Sequence, residues 1–250
     1  MLEIKNITSG YNNKIVIDSL SQTFEKGKLI SIIGINGSGK STFLKTISGI
    51  LRLSKGDIYI DGNNIKSLNR NDIAKKITYL SQEKIIPDMT VEQMVLLGRY
   101  PHLSFPKKYS LKDIEIAKNA MKEVGILEYT LSPLNTLSGG MRQNAYIAMA
   151  LAQDTDYILL DEPTTFLDIH HQIELMQKLK KLSNSGKGII MVMHDLSLAL
   201  EFSDEIAILH NGKIVKKDFP KNILKGSEIE DIFGVKIKYL ENESKYIITY

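Results

Sequence analysis

The chain has 250 residues, a formal net charge of +3, 24% charged and 43% hydrophobic residues, and no cysteine. That composition suits a globular fold with a sizeable core and excludes wholesale disorder. Without cysteine there are no disulfides, thiolate metal sites or cysteine nucleophiles, and with no basic run longer than a Lys-Lys pair a nucleic-acid partner is not expected.

In chain order, "MLEIKNITSGY" has no basic segment followed by an apolar run, so no secretory signal is expected there. "LEIKNIT" alternates as a strand, "KIVIDSLSQTF" is extended and rich in β-branched residues, and "KLISIIG" is a short buried strand. The glycine loop "GINGSGKST", residues 34–42, follows it directly, and "KSTFLKTISGIL" then reads as a helix. "GDIYIDG" and "ITYLSQ" are further strands. From about residue 88 the periodicity turns helical, and strand signals return only at "YILLDEP", 157–163. A helix, the buried strand "GIIMVMH", a short helix and "EIAILH" then alternate, the βαβ rhythm of a largely parallel sheet. "HNGKIV" carries an Asn-Gly turn between two strands. The longest apolar runs fall far below the ~18–20 residues of a membrane-spanning helix.

Three motifs carry chemistry. Gly34, Gly39, Lys40 and Ser41 fit G-x-x-x-x-G-K-[ST] between a buried strand and a helix. Such a loop turns consecutive N–H groups inward onto phosphate oxygens. Lys40 adds charge against the β and γ phosphates, the Ser41 hydroxyl suits Mg²⁺, and Thr42 suits the α-phosphate. In "YILLDEP" the strand ends in Asp161 and Glu162, at the carboxyl edge where open α/β sheets bind ligands. Asp161 is expected to serve Mg²⁺ and Glu162 to act as general base on an attacking water. His194 ends the next apolar strand, placed to contact the γ-phosphate and hold that water. His170 and His171 read as the exposed start of a helix and not as metal ligands. A second anion device stands at "TLSGGMRQ", where Ser138, Gly139 and Gly140 precede a helix and present its N-terminus.

These residues in this order, from Tyr11 to His210, resemble the ATP-binding cassette (ABC) ATPases. The resemblance implies an α/β P-loop NTPase cassette with a RecA-like core (about 1–87 and 153–218), an antiparallel β subdomain, an inserted helical subdomain (about 88–152) and a C-terminal extension (about 219–250). It implies that Tyr11 stacks on adenine and that Gly34, Ile35, Asn36, Gly37, Ser38, Gly39, Lys40, Ser41 and Thr42 hold ATP in cis. Gln82 would reach Mg²⁺ and the water, and Asp168 would lie in the loop that crosses to a partner. "LSGG" matches the family signature, so Ser138, Gly139 and Gly140 would hold the ATP of a second cassette in a head-to-tail dimer. That accounts for two phosphate loops in one chain.

Two departures stand out: Met141 replaces the usual Gln or Glu after "LSGG", which removes a polar contact across the dimer, and Thr165 and Phe166 precede Leu167 where the family has Ser. Hydrolysis is expected, since Gln82, Glu162 and His194 are all present. "MTVEQMVLLGRYPHLS", 89–104, is similar to cassettes that drive importers of ferric siderophores, haem and cobalamin. By that similarity Arg99, Tyr100 and Pro101 face a membrane permease. The chain would then sit peripherally on the cytoplasmic face, as two copies with two permease subunits, supplied by an extracytoplasmic binding protein. Other readings are an ABC ATPase without a permease, of assembly or repair type, a cassette for another substrate, and a nucleotide-responsive module that does not hydrolyse.

Overall fold

The computed structural model describes residues 1–12, 14–82, 86–165, 167–240 and 245–249. Strands β1 (Leu2–Tyr11) and β2 (Lys14–Phe24) form an antiparallel pair, extended by β4 (Lys55–Ile60) and the short β5 (Asn63–Asn64) into a sheet ordered β2-β1-β4-β5. The second sheet has six strands, ordered β10-β9-β3-β8-β7-β6. Its members are β3 (Leu29–Ile33), β6 (Ile77–Leu80), β7 (Tyr157–Asp161), β8 (Gly188–Val192), β9 (Glu205–His210) and β10 (Lys213–Asp218). All pair in parallel except β10, which returns antiparallel through the Asn211-Gly212 turn, where both residues take positive φ.

Every residue of β3, β7 and β8 is buried. Continuous apolar runs suit strands covered on both faces, and alternate side chains divide between two cores. Ile30, Ile32, Leu159, Ile190 and Val192 face the side of helix α1 (Lys40–Ile47) and the antiparallel sheet. Leu29, Ile33, Ile158, Leu160, Ile189 and Met191 face the other core, shared with the remaining large helices.

Between β6 and β7 lie α3 (Val91–Leu97), α4 (Leu111–Val124) and α5 (Gly139–Ala152), preceded in the chain by the short α2 (Arg70–Ala74). Their starts are fixed locally. Thr90 with Gln93, and Ser110 with Asp113, form capping boxes, each satisfying two otherwise orphaned backbone donors. Helices α6 (Ile169–Asn184) and α7 (Leu196–Phe202) complete the βα alternation. The C-terminal stretch folds as α8 (Pro220–Ile223), α9 (Glu228–Phe233) and a separate antiparallel hairpin of β11 (Lys236–Leu240) and β12 (Lys245–Thr249). Lys245–Thr249 of the final "KYIITY" therefore pairs with Lys236–Leu240, and Tyr250 lies outside the described residues. Among the described residues no helix is long and apolar enough to cross a membrane.

Register matters more for function than strand count. The pairs Ile32↔Val192, Asp161↔Val192 and Leu80↔Leu160 bring the carboxyl ends of β3, β8, β7 and β6 into line. Each strand hands its next residues to the same edge.

Candidate functional site

The loop between β3 and α1 opens that edge. Gly39 caps α1 in the left-handed region, φ 104°, where a Cβ would be strained. An ideal Cβ there would also stand 3.1 Å from both the Val16 and Ile17 side chains. Lys40 is almost buried, and its Nζ donates to the carbonyls of Gly34 (2.8 Å) and Ile35 (3.1 Å). Burial holds its ammonium below the ordinary lysine range, opposed by Glu162 and Asp161. Ser38 Oγ is buried and has no hydrogen-bond partner among the described residues. An orphaned hydroxyl in a turn lined by backbone N–H groups suits a ligand oxygen.

Opposite Lys40, β7 delivers the acid pair. The Ser41 hydroxyl donates to Asp161 Oδ1 at 2.9 Å, and the Tyr79 hydroxyl donates to Oδ2 at 3.1 Å. Burial raises the Asp161 carboxyl above its usual range, and these two hydrogen bonds counter it. Ser41 and Asp161 together offer hard oxygen donors beside the phosphate loop, a set that fits Mg²⁺. Burial, followed by the Asp161 charge and hydrogen bond, raises the Tyr79 hydroxyl, so it remains a donor.

Glu162 has φ 51°, uncommon for a residue with a Cβ and costly unless its surroundings enforce it. His194 Nε2 donates to its Oε1 at 2.5 Å, and Gln82 Nε2 donates to its Oε2 at 2.5 Å. The Thr165 hydroxyl adds a third donor, to Oε2, at 3.2 Å. Two chain segments far from it in sequence, and one neighbour three residues on, thus converge on one carboxylate. A cavity of about 280 Å³ runs from Val16, Asn36 and Gly37 along the loop to Glu162 and His194. Tyr11 stands exposed at the end of β1.

The second glycine device lies elsewhere. Ser138 caps α5, its Oγ accepting from Met141 N at 3.3 Å, and Gly139 and Gly140 form the first turn. None of the three lines the phosphate cavity. Behind them Asp168 caps α6, accepting from His171 N at 3.0 Å and from His171 Nδ1 at 2.8 Å. The backbone bond from His171, then its side chain, holds the Asp168 carboxyl below the ordinary range. The His171 ring lies over Gly140, so an added Cβ would approach its Cδ2 to 2.7 Å. Met141 packs against the helical core, which gives an apolar side chain a place at that position. Phe166 lies outside the described residues.

One expectation fails. Arg99 does not face a partner: it is only 6% exposed. Its Nε donates to Asp113 Oδ1 at 3.0 Å and its Nη1 to the Ala152 carbonyl at 2.8 Å. The guanidinium ties α4 to the end of α5, and the hydrogen bonds of Ser110, with that of Arg99, hold Asp113 down at about 2. A buried pair of this kind would leave a stranded charge if it were opened. Of the Arg99–Tyr100–Pro101 trio, Tyr100 alone is well exposed, at 49%.

Sequence reasoning missed Tyr79, Gln143 and the capping role of Asp168. Tyr79 is a hydroxyl on "ITYLSQ", two residues after buried Ile77 on the same strand face, which could have been read from the period of two. Gln143, buried in α5, donates to the Pro163 carbonyl at 2.9 Å and so ties the signature helix to the acid-pair loop. Nothing in its local sequence marks it.

The family described as ABC transporter matches residues 17–165 of the chain. The petrobactin import ATP-binding protein FpuD of Bacillus anthracis is 41% identical over 234 residues, 93% of this chain and 86% of that protein. The iron(3+)-hydroxamate import ATP-binding protein FhuC of Bacillus subtilis (strain 168) is 39% identical over 236 residues, 94% of this chain and 88% of that protein. A solved dimeric ATP-binding cassette in a post-hydrolysis state, bound to ADP and Pi, matches with a TM-score of 0.76 at 29% identity, covering 88% of this chain and 99% of that one.

Proposed function

The chain belongs to the ABC transporter family, whose ATP-binding proteins hydrolyse ATP, and we propose that it is the ATPase subunit of an importer for a ferric siderophore. The observation that carries the import reading is near-full-length similarity to proteins named for petrobactin and iron(3+)-hydroxamate import. Haem and cobalamin are the other metal chelates this branch of the reading covers.

In this reading residues 34–42 hold the triphosphate, Tyr11 stacks on the base, and Lys40 exchanges its two carbonyl partners for phosphate oxygens. Mg²⁺, held by Ser41, Asp161 and Gln82, would supply charge neutralisation. Glu162 is the general base. Both of its oxygens already accept hydrogen bonds, from His194, Gln82 and Thr165. Each carboxylate oxygen has two lone pairs, so Oε1, which accepts only from His194, keeps one for the proton of an attacking water while the three donors orient the group. A charge-assisted bond of this kind is worth roughly 1.5–3 kcal/mol, which fixes the direction of the carboxylate. Ser138, Gly139 and Gly140 of a second copy close the site from outside, with Asp168 in the crossing loop. Pairing two copies completes two sites.

The permease contact falls beside Arg99, not on it. A cavity of about 340 Å³ lies between Ser48–Ile50, α2, β6 and Gln153. The Pro101 carbonyl accepts from Asn71 of α2 at 2.7 Å, and His102 Nε2 pairs with the Gln153 carbonyl at 2.8 Å. The Tyr100–Pro101 turn is thereby fastened beside a concavity that suits a cytoplasmic segment of a permease, with the chain peripheral on that membrane face and a binding protein outside.

The test is to remove the chain from its native cells and follow uptake of radiolabelled iron as ferric hydroxamate and ferric petrobactin. Loss of one or both uptakes, restored by the parent chain and not by Glu162→Gln, is expected. Unchanged uptake of both would overturn the siderophore reading while leaving ATP hydrolysis standing.

A further inference from the structure

Between the Tyr100–Pro101 turn and α4 the chain carries a loop that neither the nucleotide site nor the proposed permease cavity uses. Residues 98–112 contain no acid, and they hold Lys107, Lys108 and Lys112. The only arginine in this stretch is already paired with Asp113. Phe105 is 98% exposed and Leu111 86% exposed. An aromatic ring so bare makes almost no contact with its own chain.

The loop is anchored at both ends. Asn71 and Gln153 hold the Pro101–His102 turn, and Ser110 is locked into the capping box of α4. Within it, Lys107 Nζ sits 3.5 Å from the centroid of the Tyr100 ring. The result is a fastened, convex, cationic projection with an apolar tip.

Shape and charge select the occupant. A rigid protein surface would need a matching hole for Phe105. A bilayer deforms around a protruding ring and presents anionic headgroups to flanking lysines. We infer that residues 103–112 form a membrane-contact loop, in which Phe105 enters the headgroup–acyl boundary of an anionic bilayer while Lys107 and Lys108 pair with lipid phosphates. The inference rests on the reading that the chain works against a membrane. It would seat the cassette on lipid beside the permease and add a second attachment to the one in the cavity.

The chain has no tryptophan, so Phe105→Trp places a single reporter at the tip. The full chain would be titrated with vesicles of phosphatidylcholine alone and of phosphatidylcholine with about 30% phosphatidylglycerol, a surface negative enough to attract a short basic segment. A blue shift of the emission and quenching by brominated acyl chains are expected on the anionic vesicles only, reversed by salt. Phe105→Ser and the double variant Lys107→Glu/Lys108→Glu should each weaken vesicle binding by about tenfold. The control Lys55→Glu/Lys181→Glu makes the same change in net charge elsewhere and should weaken it far less. ATP turnover of the loop variants should match the parent, which also shows that they fold.

An unshifted tryptophan, an equal response to neutral vesicles, or an equal loss in the control would overturn the inference. Because the vesicles contain no permease or substrate, this test and the uptake test fail independently.

Discussion

Two helix starts in this chain use the same device, a glycine-bearing turn with free backbone N–H groups, and differ in what surrounds them. At α1 the turn is enclosed by Lys40, Ser41, Asp161, Glu162 and His194, drawn from the ends of β7 and β8 and from the helix itself. At α5 the turn has its own Ser138 cap, the Arg142 guanidinium on the Leu137 carbonyl at 2.7 Å and, behind it, the Asp168–His171 pair. The first gathers a cation, two acids and a histidine from one chain. The second has Arg142 and the Asp168–His171 pair for neighbours, and neither lines the phosphate cavity. An anion-binding turn by itself therefore says little about chemistry; the partners brought to it decide.

The largest effect should come from breaking the first region alone. Glu162→Gln is expected to lower phosphate release by about a thousandfold, the range of a lost general base, while ATP titration shows undiminished binding. Turnover at the parent rate would remove Glu162 from that role. Gly140→Ala attacks the second region alone. Its methyl group displaces the His171 ring and opens the Asp168 bond, at a cost of roughly 1–2 kcal/mol. Turnover and ATP-dependent dimerisation should then fall by about tenfold, with ATP affinity of the single chain unchanged. If affinity fell in step, the two turns would not be separate sites.

Asp161→Asn measures the strain of assembling the first region. Burial raises the Asp161 carboxyl, so its contribution to stability is full only below the unfolded value, near ~3.9, and is lost as pH rises through the folded value. The Ser41 and Tyr79 hydroxyls can turn to serve an amide. Nucleotide-free Asp161→Asn should thus be more stable than the parent by about 1 kcal/mol at neutral pH, whatever happens to its turnover. Thermal melts should show that gain shrinking as pH falls into the carboxylate range. A constant gain would point to packing instead of charge. The smallest effect concerns Lys40, whose ammonium is held below the ordinary range by burial. Nucleotide affinity should weaken as pH rises, and at a lower pH than an ordinary lysine would set, read by fluorescence titration, with Lys40→Arg abolishing the dependence.

Much of this architecture was legible before any coordinate. "LISIIG", "YILLDEP" and "GIIMVMH" are apolar runs too short for helices and ended by functional residues, and the structure makes them β3, β7 and β8. The Asn-Gly hairpin was equally local. The "GRYPH" segment was not. Polar and aromatic residues next to a proline read as surface, yet Arg99 is buried because Asp113, fourteen residues on, folds back to meet it. Exposure belongs to the pairing, not to the residue type.

By itself the sequence determined which strands form and that a glycine turn, an acid pair and a histidine follow them, because glycine turns and strand periodicity act over a few neighbouring residues. Only the tertiary structure decided that Gln82, Glu162 and His194 share hydrogen bonds, that Tyr79 supports Asp161, and that His171 covers Gly140. Those contacts depend on the register between parallel strands and on how helices cross. Register is set by the burial of both sheet faces at once, and no single stretch of sequence contains it.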